Sequence, residues 1–564
     1  MKNLYLINLY FLFTIYALNA QEKINYLPEN ENIATAVRAK NGMVLTNSAT
    51  ASQTALNILK KGGNAIDAAI AANAVLGLTN PTSGGVGGDL YALIWDAGTK
   101  QIYGLNATGR TPGSLSSAKF KLLKINSIEN NSPLSITVPG CVDGWNEMYE
   151  KFGRLPAEVI LSDAIRYAEN GFILTKDVAE SFENESIRLD KYDTFKKIYK
   201  VDSILPSAGD KLFNPDLADL YKMLANKGFR SFYKTENSQI IANSVQNAGG
   251  FLNAADLAMH HSEWVDPISI EYSGNMIYQL PPNSLGITML TFLEIIKNFD
   301  LSQLPFGSKK YLHTLIEVNK LALLDQELFL KDPTYVKYKP EAYLNSENSK
   351  KKLISFTSTG TLNIQSKSIE NESNTISIII ADEEGNLVVL SQNNYIGMGS
   401  GVVPDGLGFV LQNRASSYSL KRNDPNVYVP FNRPYSSSLP CITFKDGKPS
   451  MGINLTNNTS NALIEAQTII NLINFKMEPL LAFQVPFIFN SQTNDKIESS
   501  KNTVWISIEK GINYQVVRDL IAIGHRIKFV SEPKFGMQAL FFKTEKSNFL
   551  GISRSSEKGI AVGY

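Results

Sequence analysis

Cysteine and histidine are scarce in this chain of 564 residues, with two Cys and four His, and long apolar runs are missing after the N-terminus. Each shortage removes a class of protein. Two cysteines cannot build the disulfide framework of a small secreted scaffold, and the spacing of Cys141 and Cys441 matches no metal or redox motif. Two buried, unpaired thiols are the simpler reading, and a single disulfide is the alternative. His260, His261, His313 and His525 are too scattered for a metal set, and H-E-x-x-H is absent. An excess of one charge is lacking as well: 54 Lys+Arg balance 53 Asp+Glu, so nothing draws a phosphate backbone and no nucleic-acid partner is expected. Neither the G-x-S-x-G elbow of serine hydrolases nor the G-x-x-x-x-G-K-[ST] nucleotide loop occurs.

What is present describes an ordinary globular protein. Hydrophobic residues make up 43% of the chain, enough apolar surface to offset the entropy of folding, and the length is compatible with three or four domains. Residues 1–20 place Lys2 ahead of an apolar stretch, Leu4 to Leu18, that ends at small Ala20 before polar Gln21. This is the shape of a signal peptide cut after Ala20, too short and interrupted to span a bilayer, although an N-terminal anchor is the alternative. No later segment is apolar for long enough to span. A soluble, exported mature chain, periplasmic or secreted, is therefore expected.

Asn64 can cap an alanine-dense helix running to about Leu76, with Asp67 at its third position; the helix is apolar nearly all round and so belongs inside a layered domain. Helical periodicity recurs in Ser162–Glu169, Ser284–Lys297, Lys310–Leu330 and Ala462–Phe475. Met276–Leu280, Ile376–Ala381, Leu387–Leu390 and Phe409–Leu411 read as buried strands. Turn signals at Asp382–Asn386, Pro404-Asp405-Gly406 and Lys445-Asp446-Gly447 favour antiparallel hairpins in the C-terminal third. The glycine cluster Ser83-Gly84-Gly85-Val86-Gly87-Gly88-Asp89 could cradle an anion, but a close-packed turn is the commoner use, and its position before a strand is wrong for a dinucleotide fingerprint.

Between Thr357 and Asn374 the chain is small and polar, and at Thr375 it turns abruptly into Ile376-Ser377-Ile378-Ile379-Ile380. A threonine hydroxyl needs a base beside it to act as a nucleophile. The residue's own α-amine serves if the chain is cut just before it, whereas strand-starting threonines are common for plain β-propensity.

Several blocks together decide between these readings. Gly62-Gly63-Asn64-Ala65-Ile66-Asp67-Ala68-Ala69, the Ser83–Asp89 cluster, Val138-Pro139-Gly140 with Gly144-Trp145, Phe152-Gly153-Arg154-Leu155-Pro156 and Leu280-Pro281-Pro282-Asn283 occur in order. They are followed by Thr375 through Asn386, Gly399-Ser400-Gly401 and Arg433-Pro434-Tyr435-Ser436-Ser437-Ser438-Leu439-Pro440. In these blocks the chain resembles the γ-glutamyltransferase family of N-terminal-nucleophile (Ntn) hydrolases.

The resemblance implies an α+β fold, a four-layer αββα sandwich made as one precursor. Cutting at Asn374–Thr375 would leave a large subunit, 21–374, and a small one, 375–564, as an obligate heterodimer forming one domain. Thr375 would be the nucleophile and its α-amine the base, with no metal or organic cofactor. The partners would be a small γ-glutamyl or other acyl amide, such as glutathione, and water or an amine as acceptor. The family's oxyanion donors count to the backbone of Asn457 and Asn458, its carboxylate-binding arginine to Arg110, its second threonine to Asn393, and its serine pair to Ser436 and Ser437. The acidic residue that the family uses for the substrate α-amine should follow Leu411-Gln412-Asn413-Arg414, where Ala415-Ser416-Ser417 stands. Two alternatives stay open: an Ntn amidase for a non-glutamyl acyl group, and an inactive homologue retained as a binding protein.

Overall fold

The structure is a computed structural model that describes residues 33–200, 204–234, 236–329, 331–337, 339–364, 375–456, 461–491, 504–531, 535–544, 547–554 and 559–564. The leader, residues 1–20, Asn374, and Asn457 with Asn458 lie outside the described residues.

Two seven-stranded sheets form the centre. One runs Ala34–Ala39, Ser547–Arg554, Gly536–Thr544, Lys448–Thr456, Cys441–Lys445, Asn275–Gln279, Ile268–Tyr272; the other runs Ile560–Gly563, Met43–Thr46, Ile376–Ala381, Leu387–Asn393, Asp89–Asp96, Gln101–Ala107, Glu263–Val265. Every neighbouring pair in both is antiparallel.

The layering follows from strand periodicity, which sends alternate side chains to opposite faces. Along Ile376–Ala381, Ile378 and Ile380 join a core shared with helices, while Ile379 and Ala381 pack in the core between the sheets. Leu387–Asn393 and Asp89–Asp96 divide in the same way: Val388, Leu390, Leu90, Ala92 and Ile94 go to the helical side, and Leu387, Val389, Tyr91, Leu93 and Trp95 go to the inter-sheet side. On the far sheet, Ile442 and Phe444 face the centre, whereas Cys441, Met451 and Ile453 back onto helices Gly286–Ile296, Lys309–Phe329 and Asn461–Ile473. The result is the αββα order of layers.

The buried helix spans Ala65–Thr79, and Asn64 and Asp67 close a reciprocal capping box at its start. Every residue from Ala65 to Leu78 is buried, as an all-apolar helix between a sheet and an outer helix layer requires. The Ile376–Ala381 strand has the bounds that the sequence suggests, and the Asp382–Asn386 turn, with Gly385 at φ +89°, returns the chain as an antiparallel hairpin.

Phe409–Leu411 is not a ladder strand. Its backbone is instead engaged by a glycine-shaped loop: Ser400 N–H donates to Leu411 O, Leu411 N–H to Val402 O and Gln412 N–H to Gly87 O. Gly399, Gly401, Gly406 and Gly408 all take positive φ there, which breaks the extended geometry that a ladder needs. Cys141 and Cys441 are both buried, free thiols.

Candidate active site

Thr375 immediately precedes the first residue of a central strand, and its side chain is buried. The neighbouring strand ends at Asn393, whose amide Nδ2 donates to Thr375 Oγ1 at 3.2 Å. The orientation of that amide is forced. Asn393 Oδ1 accepts the Tyr395 N–H at 3.1 Å and also a bond from the Arg414 guanidinium, so the oxygen must face away and the NH2 must face the threonine.

Arg414 is itself fully buried. Its Nε donates to Asp89 Oδ2 at 2.7 Å, Nη1 reaches Tyr435 O at 3.2 Å, and the group lies over the Tyr395 ring. Asp89 Oδ1 in turn accepts the Gly109 N–H at 2.7 Å and Gln412 Nε2 at 2.9 Å. Burial pushes the Asp89 carboxyl above its ordinary range, while Arg414 and these donors pull it back. Thr375, Asn393, Arg414, Asp89 and Gly109 thus form one continuous hydrogen-bonded line.

The glycine cluster packs against the same strand end. Gln392 accepts Gly85 N–H at 2.9 Å and donates back to Gly85 O at 2.8 Å, and a Cβ on Gly88 would lie 2.3 Å from Asn393 O. This is the close-packed turn, and it fixes Gln392 and Asn393 in place.

Ser436 bridges to Ser284 through its backbone: its N–H donates to Asn283 O and its carbonyl accepts from Leu285. Its hydroxyl contacts Ser438 Oγ at 3.1 Å. Ser437 is buried and lines a small cleft with Ala462 and Leu463 of the helix Asn461–Ile473. One residue away, Tyr435 O is an Arg414 partner, so the serine segment adjoins the line described above. Asn283 ties it further, donating to Tyr91 OH, Thr108 Oγ1 and Pro434 O. The strand Lys448–Thr456, which leads to Asn457, is held to the sheet next to Thr375 where Ser391 Oγ donates to Asn454 Oδ1 at 2.9 Å.

Arg110 stands one residue beyond Gly109 and pairs with Glu263 at 2.6 Å; Arg433 binds the other oxygen of that carboxylate at 2.7 Å. Arg414, Asp89, Gln392, Asn283 and Glu263 are the site residues that sequence reasoning misses. Arg414 and Asp89 sit inside the quoted motifs, but their pairing spans 325 positions and has no local signature.

The histidines are less scattered than their spacing suggests. His313 Nδ1 and His525 Nε2 are 2.7 Å apart, and with Glu317 they form a buried group whose ligand atoms lie within 4.8 Å of one another. A metal ion there would compete with the Lys320 ammonium, which holds Glu317 Oε1 at 2.8 Å, and with Thr361 and the Leu362 N–H on the same carboxylate. The cluster instead straps residues 357–362 to the Lys309–Phe329 helix, with His313 Nε2 on Thr357 O at 2.7 Å.

An αββα sandwich with a threonine at the head of a central strand, backed by a fixed amide donor, defines the Ntn-hydrolase class. The family model described as gamma-glutamyltranspeptidase matches residues 51–564, and the chain belongs to that family. It is 30% identical to the glutathione hydrolase-like YwrD proenzyme of Bacillus subtilis (strain 168) over 92% of this chain and 98% of that protein. It is 29% identical to the glutathione hydrolase proenzyme of Escherichia coli (strain K12), covering 88% and 87%. Among solved structures, cephalosporin acylase from Bacillus halodurans superposes with a TM-score of 0.85 at 29% identity, over 94% of this chain and 97% of that one.

Proposed function

We propose that the protein is an exported, self-cleaving amidohydrolase or acyltransferase that takes a γ-glutamyl or similar acyl group from an amide such as glutathione. The observation that carries this reading is the Asn393 amide aimed at Thr375 Oγ1 at the head of a central strand. Attack by Thr375 Oγ on the Asn374 carbonyl moves the acyl chain from nitrogen to oxygen. That shift breaks the Asn374–Thr375 C–N bond and frees the Thr375 α-amine, and water then hydrolyses the ester, releasing residues up to Asn374 as a carboxylate and restoring the Thr375 hydroxyl.

That amine is the nearest base for the same hydroxyl in the second reaction, in which Thr375 Oγ attacks the substrate carbonyl and the amine passes the proton to the leaving nitrogen. Asn393 Nδ2 supports the oxygen as it loses its proton. Backbone N–H groups of Asn457 and Asn458 would hold the oxyanion, since a side-chain change leaves that donor in place. Ser436 and Ser437 would line the acyl pocket, and water or an amine would take the acyl group. The two pieces would remain an obligate heterodimer, because each sheet is built from strands of both.

A second reading, in which the enzyme is an acylase for a non-glutamyl group, draws on two findings. No carboxylate stands in Ala415-Ser416-Ser417, and relatives include the acylase ACY 1 proenzyme of Pseudomonas sp. (strain V22), 26% identical over 89% of this chain. Intact mass and N-terminal sequencing of the purified protein, beside Thr375→Ala, test the shared mechanism. The expected result is a new N-terminus, Thr-Ile-Ser-Ile, absent in the variant. A single folded, uncut chain would overturn the proposal in favour of a binding protein.

A further inference from the structure

Most of the space between the two central sheets is filled by apolar side chains: Leu387, Val389, Ile379 and Ala381 from the sheet next to Thr375 meet Ile442, Phe444 and Leu540 from the other. One level of it is polar. Alternation along the strands turns Ser377 and Ser391 inward from the first sheet and Asn454 and Gln538 inward from the second, and all four are buried. Ser377 pairs with Ser391 and Asn454 with Gln538, which puts the four at one level. Ser377 is two residues from Thr375, and Ser391 is two residues from Asn393.

Hydrogen bonds cross the gap here. Ser391 Oγ donates to Asn454 Oδ1 at 2.9 Å, Asn454 Nδ2 donates to Leu390 O at 2.9 Å, and Gln538 Nε2 donates to Thr46 O at 2.8 Å. The level is costly as well as directional: among the described residues, Ser377 Oγ and Gln538 Oε1 find no partner. Apolar contact between sheets is indifferent to a slide along the strands, whereas a hydrogen bond weakens steeply with distance and angle and so fixes one offset.

That offset can be followed residue by residue. A Cβ on Gly452 would lie 2.8 Å from Val389 Cγ2, and Asn454, two residues on, bonds Leu390 and Ser391. The strands Lys448–Thr456 and Leu387–Asn393 therefore advance in the same direction and in step. One more step of two brings Thr456 level with Asn393, whose amide reaches Thr375 Oγ1. The end of Lys448–Thr456 is thus set against the threonine by bonds made two residues back on each strand.

We infer that Ser391 and Asn454 are positioning residues, whose hydrogen bonds set the distance between the Thr375 hydroxyl and the chain that follows Thr456. This rests on the reading of Thr375 as the nucleophile and of the Asn457-Asn458 backbone as the oxyanion donor. Neither side chain touches substrate.

Ser391→Val and Ser391→Thr test it, since the two new side chains have nearly the same shape and only threonine keeps the hydroxyl. Asn454→Leu and the double variant Ser391→Val/Asn454→Leu complete the set. Acylation is measured on purified, cut protein with L-γ-glutamyl anilide, glutaryl anilide and 4-nitrophenyl acetate, an activated ester that needs little acyl recognition. The ester acylates Thr375 Oγ and releases 4-nitrophenolate, the hydroxyl proton passing to the α-amine, and Thr375→Ala gives the background.

A misplacement of about 1 Å can cost about 100-fold in rate. Ser391→Val and Asn454→Leu should each lower kcat, or the acylation rate with the ester, by about tenfold or more, with KM and the Ser391→Thr rate within about threefold of wild type. Because both residues serve one joint, the double variant should lose no more than the worse single one. Equal rates in the valine and threonine variants would overturn the inference. So would losses that multiply in the double variant, or a fall in kcat that only tracks the unfolded fraction in a denaturant melt. A wild type that is cut but acylated by none of these probes would overturn the inference and leave the cut standing. A wild type that stays uncut would overturn the nucleophile reading, and the inference with it.

Discussion

Replacing Asn393 by alanine isolates the contact on which the proposed chemistry depends. The wild-type amide gives Thr375 Oγ1 a donor at 3.2 Å, held by Tyr395 N–H and Arg414 on its other end. In the resting state this is a neutral bond, whose net worth is about 1 kcal/mol. As the hydroxyl proton leaves, the oxygen gains negative charge, and a bond to a charged group is worth about 1.5–3 kcal/mol. Only the strengthening, about 0.5–2 kcal/mol, speeds the step, so the alanine variant should process itself and turn over substrate about 2- to 30-fold more slowly, since each 1.36 kcal/mol is tenfold. Folding should survive, because Arg414 keeps Asp89 and Tyr435 O, although the Tyr395 N–H and one Arg414 N–H both lose Asn393 Oδ1, at about 1–3 kcal/mol each. The assay is the time course of precursor loss by intact mass in freshly purified protein, with a denaturant melt alongside. Asn393→Thr, which returns a hydroxyl donor, should recover most of the loss. Cleavage of the alanine variant at the wild-type rate or faster would refute the argument.

Two further outcomes follow from groups away from the nucleophile. Glu509 and Arg554 form a buried two-point ion pair at 2.6 and 2.7 Å, with the guanidinium lying over Phe487 and Phe535. Arg554→Met should destabilise the protein by about 3–5 kcal/mol in denaturant melts, because it leaves Glu509 buried and unpaired, and a melt within 1 kcal/mol of wild type would contradict this. Burial, Lys320 and His313 together pull His525 down to about 3 from an ordinary 6.5. Its folded pKa is the lower one, so its contribution is fully present above about 6.5 and is lost as pH falls towards 3. Stability measured between pH 7 and 5 should fall in the wild type and fall less steeply in His525→Gln, and parallel slopes would contradict that assignment.

The parts of the fold that were legible in the sequence are those whose signal is local. Asn64 and Asp67 announce a helix start whatever surrounds them, and Ile376–Ala381 is too apolar to be anything but a strand buried on both faces. The expected strand Leu387–Leu390 stops three residues early, and the reason is informative. Ser391, Gln392 and Asn393 are polar, so a hydrophobic pattern ends before them, yet they continue the ladder to Asp89. Each is polar because it has work at the site: Ser391 on Asn454, Gln392 on Gly85 and Asn393 on Thr375. A buried strand that turns polar at one end is a site signal that periodicity alone reads as a boundary. Arg414 with Asp89, and His313 with His525, carry no local signal at all, since each pair is made by tertiary contact across hundreds of residues.

The sheets also bear on why a cut before Thr375 is compatible with a single folded domain. In the sheet next to Thr375, Met43–Thr46, Asp89–Asp96, Gln101–Ala107 and Glu263–Val265 precede the proposed cut, and Ile376–Ala381, Leu387–Asn393 and Ile560–Gly563 follow it. Ile376–Ala381 is paired on one side with a strand from before the cut and on the other with one from after it. The second sheet mixes the two in the same way, with Asn275–Gln279 against Cys441–Lys445 and Ala34–Ala39 against Ser547–Arg554. Neither piece could bury its strand edges or its inter-sheet face without the other, so hydrolysis of one bond in the segment before Thr375 removes no ladder contact of these sheets. What the proposed cut would change is local and chemical: it would turn the Thr375 amide nitrogen into an amine beside a hydroxyl that Asn393 already holds in place. On the proposed mechanism the folded precursor already has the donor geometry of the enzyme before the base exists, and cleavage would complete the site without rebuilding it.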